Sequence, residues 1–358
     1  MAIRNEWRTG GAPAFKTGGE GGGQGRGMPE DKGWKSPYLL LTVTMLLWGS
    51  AFASSKSVVA QLPHTVAALL RFGGGAVALL AAVAVFGKSA ATPGSTTTAA
   101  ATPASARGGG RRAALAGVLG VFAYNGFFFW GLSLAPSLDA GIVIPVLSPV
   151  LTSAFLLVTG GESASGGRLA GLALGLAGAV VFFFGAGGSA HGGTTRLTGD
   201  MLYLLSAVCW AAYTLIGPRV LAGIDPLRAT TYATCAGAVL LGALAAPDLG
   251  EVHWDGLPAG LWLNVVFLAI GPAAVANLLY YRGVGAVGPA SASLMMFMVP
   301  VVNTVCSMVF LGESFGGLQA LGALVLLSGA VLAVTRGRVP ARPRARTAPT
   351  AGKKPSEL

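Results

Sequence analysis

The sequence predicts an all-α membrane protein with ten transmembrane helices arranged as two inverted five-helix repeats, and three observations lead there. First, the 358 residues are 53% hydrophobic and only 10% charged, with a mean hydropathy of +0.67, whereas roughly a quarter of the residues in a soluble domain are charged. Second, the stretch Pro149 to Glu162 (PVLTSAFLLVTGGE) recurs at Pro300 to Glu313 (PVVNTVCSMVFLGE). The match continues downstream at a constant offset of 151, carrying Gly161-Glu162-Ser163 onto Gly312-Glu313-Ser314 and Gly178-Ala179-Val180 onto Gly329-Ala330-Val331. Third, Lys and Arg collect in segments that alternate helices place on one membrane side, as expected of cytoplasmic loops.

The elements follow in order. Residues 1–37 are rich in glycine and charge, with no apolar run that could serve as a signal segment, and read as a disordered, uncleaved cytoplasmic tail. Apolar stretches of a length that spans a bilayer run over about 38–60, 63–86, 113–134, 140–159 and 169–186 in the first repeat (38–187). In the second repeat (199–335) they run over about 200–216, 229–246, 259–281, 290–311 and 318–334. Gly87 to Arg112 has the Thr/Ala/Gly/Pro composition of a flexible linker, Gly187 to Thr198 reads as a glycine-rich loop, and 336–358 is a basic cytoplasmic tail.

With the N-terminus inside, 24 Lys and Arg side chains are distributed so that all but Arg196, Lys56 and Arg71 are cytoplasmic. Both termini are then cytoplasmic in a multi-pass protein of the cell membrane. Five helices per repeat is an odd number, so the copies insert with opposite orientation, the plan of many secondary transporters with a substrate site near the midplane. In this setting the net charge of +11 reports topology, and no nucleic-acid module is visible. Cys209, Cys235 and Cys306 lie in apolar runs without metal-ligand spacing and read as small buried hydrophobes.

Trp48-Gly49-Ser50-Ala51-Phe52, Arg71-Phe72 and the two Pro-to-Gly-Glu runs carry a resemblance to EamA-type transporters of the drug/metabolite transporter superfamily, covering about residues 38–335. The resemblance implies ten helices around a central cavity, alternating access and export of small metabolites, with no particular substrate.

The residues themselves supply the candidate site. Trp48, Phe52 and Lys56 share one helix face, with Ser50 on a neighbouring polar strip. Lys56 either snorkels to the interface or lines the outer mouth of a cavity. Arg71 stands about 12 Å into its helix, where an unpaired cation costs at least ~2.5 kcal/mol; it is either a substrate ligand or a clamp on a neighbouring helix. Asn125-Phe128-Phe129 and Asn277-Tyr280-Tyr281 repeat an amide followed by two aromatics, which either line the cavity or serve interhelical hydrogen bonding and an interfacial belt. Tyr124 flanks the first copy. Trp210 and Tyr213 take the place of the Trp48 motif in the second repeat, and Asn303 is a candidate cavity amide. Pro149, Pro272 and Pro300 mark hinges that expose backbone or simply packed kinks. Glu162 and Glu313, each ending a helix against its dipole, read as closures or gates that cap a neighbouring helix and not as proton carriers.

No Walker A sequence, metalloprotease motif or deep carboxylate is present, so neither ATP-driven transport nor an embedded hydrolase is encoded, and no cofactor is expected. The expected partners are the bilayer and a small molecule, with a homodimer left open; a membrane scaffold without turnover is the alternative. A reporter fused after Leu358 is expected to be cytoplasmic; activity of a periplasm-dependent reporter there contradicts this topology.

Overall fold

Backbone N–H and C=O groups in hydrocarbon must be paired within the chain, and each long apolar run accordingly forms a helix. The computed structural model describes residues 36–86, 103–159, 165–187, 193–220, 224, 226–314 and 316–336. Glu162, most of both tails and most of the 87–112 linker lie outside the described residues. In chain order the helices are α1 (Pro37–Val59), α2 (His64–Phe86), α3 (Pro103–Gly117), α4 (Tyr124–Leu134), α5 (Ser137–Val158), α6 (Gly166–Gly187) and α7 (Gly193–Val220). They continue with α8 (Pro226–Ala245), α9 (Ala259–Ile270), α10 (Ala276–Met295), α11 (Met298–Leu311) and α12 (Gly317–Arg336). A π-helical segment, Val118–Ala123, joins α3 to α4, and a second, Gly271–Val275, joins α9 to α10. Among the described residues there is no strand, and nine segments are long and apolar enough to cross a membrane; Met298–Leu311 is shorter, at 14 residues.

Three boundaries differ from the sequence reading. The linker expected over 87–112 is already helical from Pro103, and the loop expected over 187–198 is helical from Gly193. The ninth apolar run, expected as one helix over 290–311, is divided: α10 continues through Arg282 to Met295, and α11 starts afresh at Met298. Pro300 lies in the first turn of α11, where a residue without an N–H leaves no helical hydrogen bond unmade. Pro145 and Pro149, by contrast, sit inside α5, which remains a single 22-residue helix.

Packing between the two halves is made by glycine. A Cβ on Gly171 would lie 2.4 Å from the Ala333 backbone, one on Gly178 2.2 Å from Leu326, and one on Gly185 2.5 Å from Gln319, so α6 and α12 run antiparallel with their backbones in contact. Gly322 and Gly329 make the reciprocal approaches to Phe182 and Gly175. Small residues permit this closeness where lipid offers no hydrophobic drive for helix association. The outer surface is apolar: Phe184, Leu263 and Phe310 are 73%, 72% and 77% exposed, as suits side chains facing acyl chains.

Gly178→Ala places a methyl against backbone, and such overpacking costs about 1–3 kcal/mol. Gly166→Ala meets nothing within 4 Å. The Gly178 variant is expected to melt at lower temperature in detergent than the Gly166 variant; equal melting would contradict the backbone contact.

Candidate functional site

Two π segments set the geometry of the centre. A π turn leaves carbonyls out of register with the helical ladder, and such segments recur at functional sites. In the second, Pro272 removes an N–H and widens the turn. An asparagine follows each segment and spends its amide on the carbonyls released there: Asn125 Nδ2 donates to Val121 O at 2.8 Å, and Asn277 Nδ2 donates to Ala273 O at 2.8 Å. A hydroxyl from a neighbouring helix reaches the carbonyl just before each asparagine, Ser206 on α7 to Tyr124 O (3.2 Å) and Thr44 on α1 to Ala276 O (3.4 Å). The Trp48 indole N–H donates to Pro272 O at 3.3 Å.

Around these segments the predicted aromatics meet. Trp48 lies 5.0 Å from Tyr280, Phe52 lies edge-on 5.5 Å from Phe128, and Tyr124 bridges Phe128 (6.1 Å) to Trp210 (5.2 Å), which in turn lies 5.7 Å from Tyr213. Phe52 and Phe128 are buried, whereas Trp48, Tyr124, Trp210, Tyr213 and Tyr280 are half-buried. Arg71 reaches this cluster from α2. Its guanidinium carbon sits 5.1 Å from the Phe72 ring centroid and 5.9 Å from those of Phe128 and Phe129, and Nη1 donates to Ser55 Oγ at 3.1 Å. Cation–π contact offsets part of the cost of a desolvated guanidinium. Two polar atoms there remain without a partner among the described residues, Arg71 Nε and Asn125 Oδ1. The arrangement offers stacking surface, a cation and an unused amide oxygen.

Other predicted residues converge at one end of the bundle, on the turn between α4 and α5. Lys56, expected at the interface or the outer mouth of a cavity, is spent on backbone: Nζ donates to Leu132 O (2.5 Å) and Ala135 O (2.8 Å), the carbonyls left over at the C-terminus of α4. Gly312, at φ 66°, ends α11 in the left-handed region and turns the chain so that Glu313 reaches the N-terminus of α5. There Glu313 accepts from the backbone N–H of Ser137 (2.9 Å) and of Leu138 (2.8 Å) and from the Ser137 hydroxyl (3.0 Å). Asn303 lies in this cluster and not among the aromatics, donating to Ser137 O at 3.1 Å, and the hydroxyls of Ser137 and Ser307 are 2.9 Å apart. Tyr203 Oη donates to the Ala135 and Pro136 carbonyls. Ser50 takes no part in either group and back-bonds to Leu46 O at 2.7 Å. The three cysteines are half-buried.

The sequence reading missed the ion pair at the same end. Arg196, expected in an outer loop, lies on α7 and holds Asp139 of α5 through Nε (2.9 Å) and Nη2 (3.0 Å), while Gln319 of α12 accepts from Arg196 and donates to Asp139. All three are less than a tenth exposed. Opposite charges at the starts of two apolar helices were the available signal.

A model of the EamA-like transporter family matches residues 35–184 and again 197–335. The chain belongs to the EamA-like transporter family. It is therefore a multi-pass membrane protein that transports a small molecule. Similar proteins include the aromatic amino acid exporter YddG of Ancylobacter novellus, 27% identical over 62% of this chain and 75% of that one. The threonine/homoserine exporter RhtA of Salmonella typhimurium is 30% identical over 39% of this chain and 47% of the other. A solved crystal structure covering 83% of this EamA-like chain and 96% of its own superposes with a TM-score of 0.54 at 26% identity.

Removing one partner of a buried ion pair costs about 3–5 kcal/mol. Arg196→Met is expected to lower thermal stability by that order, and adding Asp139→Asn to restore part of it. A single variant as stable as the parent would show that the pair holds nothing.

Proposed function

We propose that this EamA-like protein exports a small amino-acid-like metabolite by alternating access, through ten transmembrane helices formed as inverted repeats over 38–187 and 199–335, with both termini cytoplasmic. The reading takes Met298–Leu311, with the end of α10, as the ninth span. Its support is the reciprocal glycine contacts of α6 and α12, the paired π segments, and the family match that falls twice on the chain. In this orientation the α4–α5 turn lies at the outer end, and the residues that clamp it come from both repeats.

The observation that carries the substrate class is Arg71. Its guanidinium is enclosed by rings, Nε lacks a partner and the neighbouring Tyr124, Trp210 and Tyr213 are half-buried. A carboxylate beside an apolar or aromatic group suits that environment, and the name of the aromatic amino acid exporter similar to this chain fits it. Pro149, Pro272 and Pro300 serve as hinge positions in this reading, with Lys56 and Glu313 as closures of the outer end.

Proteoliposomes loaded with radiolabelled phenylalanine or threonine test this. Saturable efflux is expected from the parent protein, and at least a tenfold slower rate from Arg71→Ala at unchanged membrane insertion. Unaltered efflux by Arg71→Ala assigns the arginine to structure, and no saturable flux of either compound favours a scaffold.

A further inference from the structure

Asp200, on α7 one turn after Arg196, is fully buried, and neither of its carboxylate oxygens receives a hydrogen bond. The carboxyl group that acts on it is Asp139, itself fully buried and already accepting from Arg196 and Gln319. Two ionised carboxylates are both acceptors and cannot bond each other. Asp139 has donors that stabilise its charge, whereas buried Asp200 has none, so a proton shared by the two belongs on Asp200, and only with that proton in place can a bond to Asp139 form.

The charges around the pair give the same answer. Asp139 on α5 and Asp200 on α7 face Arg196 and Tyr203 on α7, with Glu313 beyond α11 and Lys56 on α1 close by, while α12 contributes the uncharged Gln319. Three carboxyl groups share two cations. In a desolvated cluster the unbalanced carboxylate is expensive, and one proton removes the imbalance. We propose that the closed outer end of the transporter is a proton-binding site, with the proton held on Asp200 and donated to Asp139, so that closing this end takes up one proton from water.

The proposal rests on the alternating-access reading, because only separation of the two repeats at this end rehydrates Asp200 and lets the proton go. Asp139 and Lys56 belong to the first repeat and Asp200, Glu313 and Gln319 to the second, while Arg196 stands on α7, the helix that carries Asp200. Acid conditions should then favour the closed end and alkaline conditions the open one, with a one-proton slope.

The test is a distance measurement between spin labels at the exposed positions Gln61 and Leu318, in full-length protein in nanodiscs with Cys209, Cys235 and Cys306 replaced. Between pH 5 and 9 the closed-to-open ratio is expected to fall up to about tenfold per pH unit. Asp200→Asn, whose amide can donate to Asp139 permanently, and Asp200→Ser should each flatten that dependence. A ratio independent of pH in the parent, or an unchanged slope in both variants, overturns the proposal. Efflux measured at equal pH on both sides tests transport separately: absence of flux there counts against the transport reading, while the distances still decide the proton.

Discussion

A buried helix-to-helix turn leaves backbone groups that neither helix can satisfy, and the α4–α5 turn is where this fold meets that constraint. The last carbonyls of α4 and the first N–H groups of α5 find no partners in their own helices, and burial of Ala135, Ser137 and Leu138 keeps water from supplying them. Lys56 and Tyr203 take the carbonyls, Glu313 takes the N–H groups, and Asn303 takes two carbonyls of the first turn of α5. Those side chains come from α1, α7 and α11, and Asp139 adds α12 through Gln319. One turn thereby ties α4 and α5 to four further helices, with opposite charge at each helix end as the dipoles favour.

The centre is built differently, by duplication. Each π segment is followed by an asparagine that bonds back into it, and the carbonyl before each asparagine receives a hydroxyl from a residue four positions before a tryptophan, Thr44 before Trp48 and Ser206 before Trp210. Gly75 and Gly237 bring Ala273 and Val121 into close contact at corresponding places. Four residues before those glycines stand Arg71 and Ala233. The guanidinium thus has no counterpart, and a nearly symmetric aromatic lining carries its charge on one side only. A ligand with one acidic end matches that asymmetry.

Much of this was legible in the sequence because lipid simplifies the code. Apolar run length sets the helices, and repeated Pro, Gly and Glu positions expose the duplication. The Gly-Glu dipeptide was read as a closing element, and Gly312 explains why glycine precedes the acid: the left-handed turn aims the carboxylate. Reading failed where helices start within polar sequence. Arg196 lies in a stretch that looks like loop, yet it is helical and buried, because its charge is met by Asp139, 57 residues away. The partners of Lys56 are carbonyls that sequence does not display. The break before α11 was hidden for a related reason, since a proline in a first turn and a proline within a helix look alike until the turn is seen.

Alternating access requires the clamp on the α4–α5 turn to open during transport. The hydroxyls of Ser137 and Ser307, one from each repeat, are 2.9 Å apart inside it. Efflux should therefore be measured for the Ser137→Cys/Ser307→Cys protein, with the native cysteines replaced, before and after reduction. The oxidised, cross-linked protein is expected to be inactive, and reduction to restore efflux. Full-rate efflux by fully cross-linked protein would contradict it.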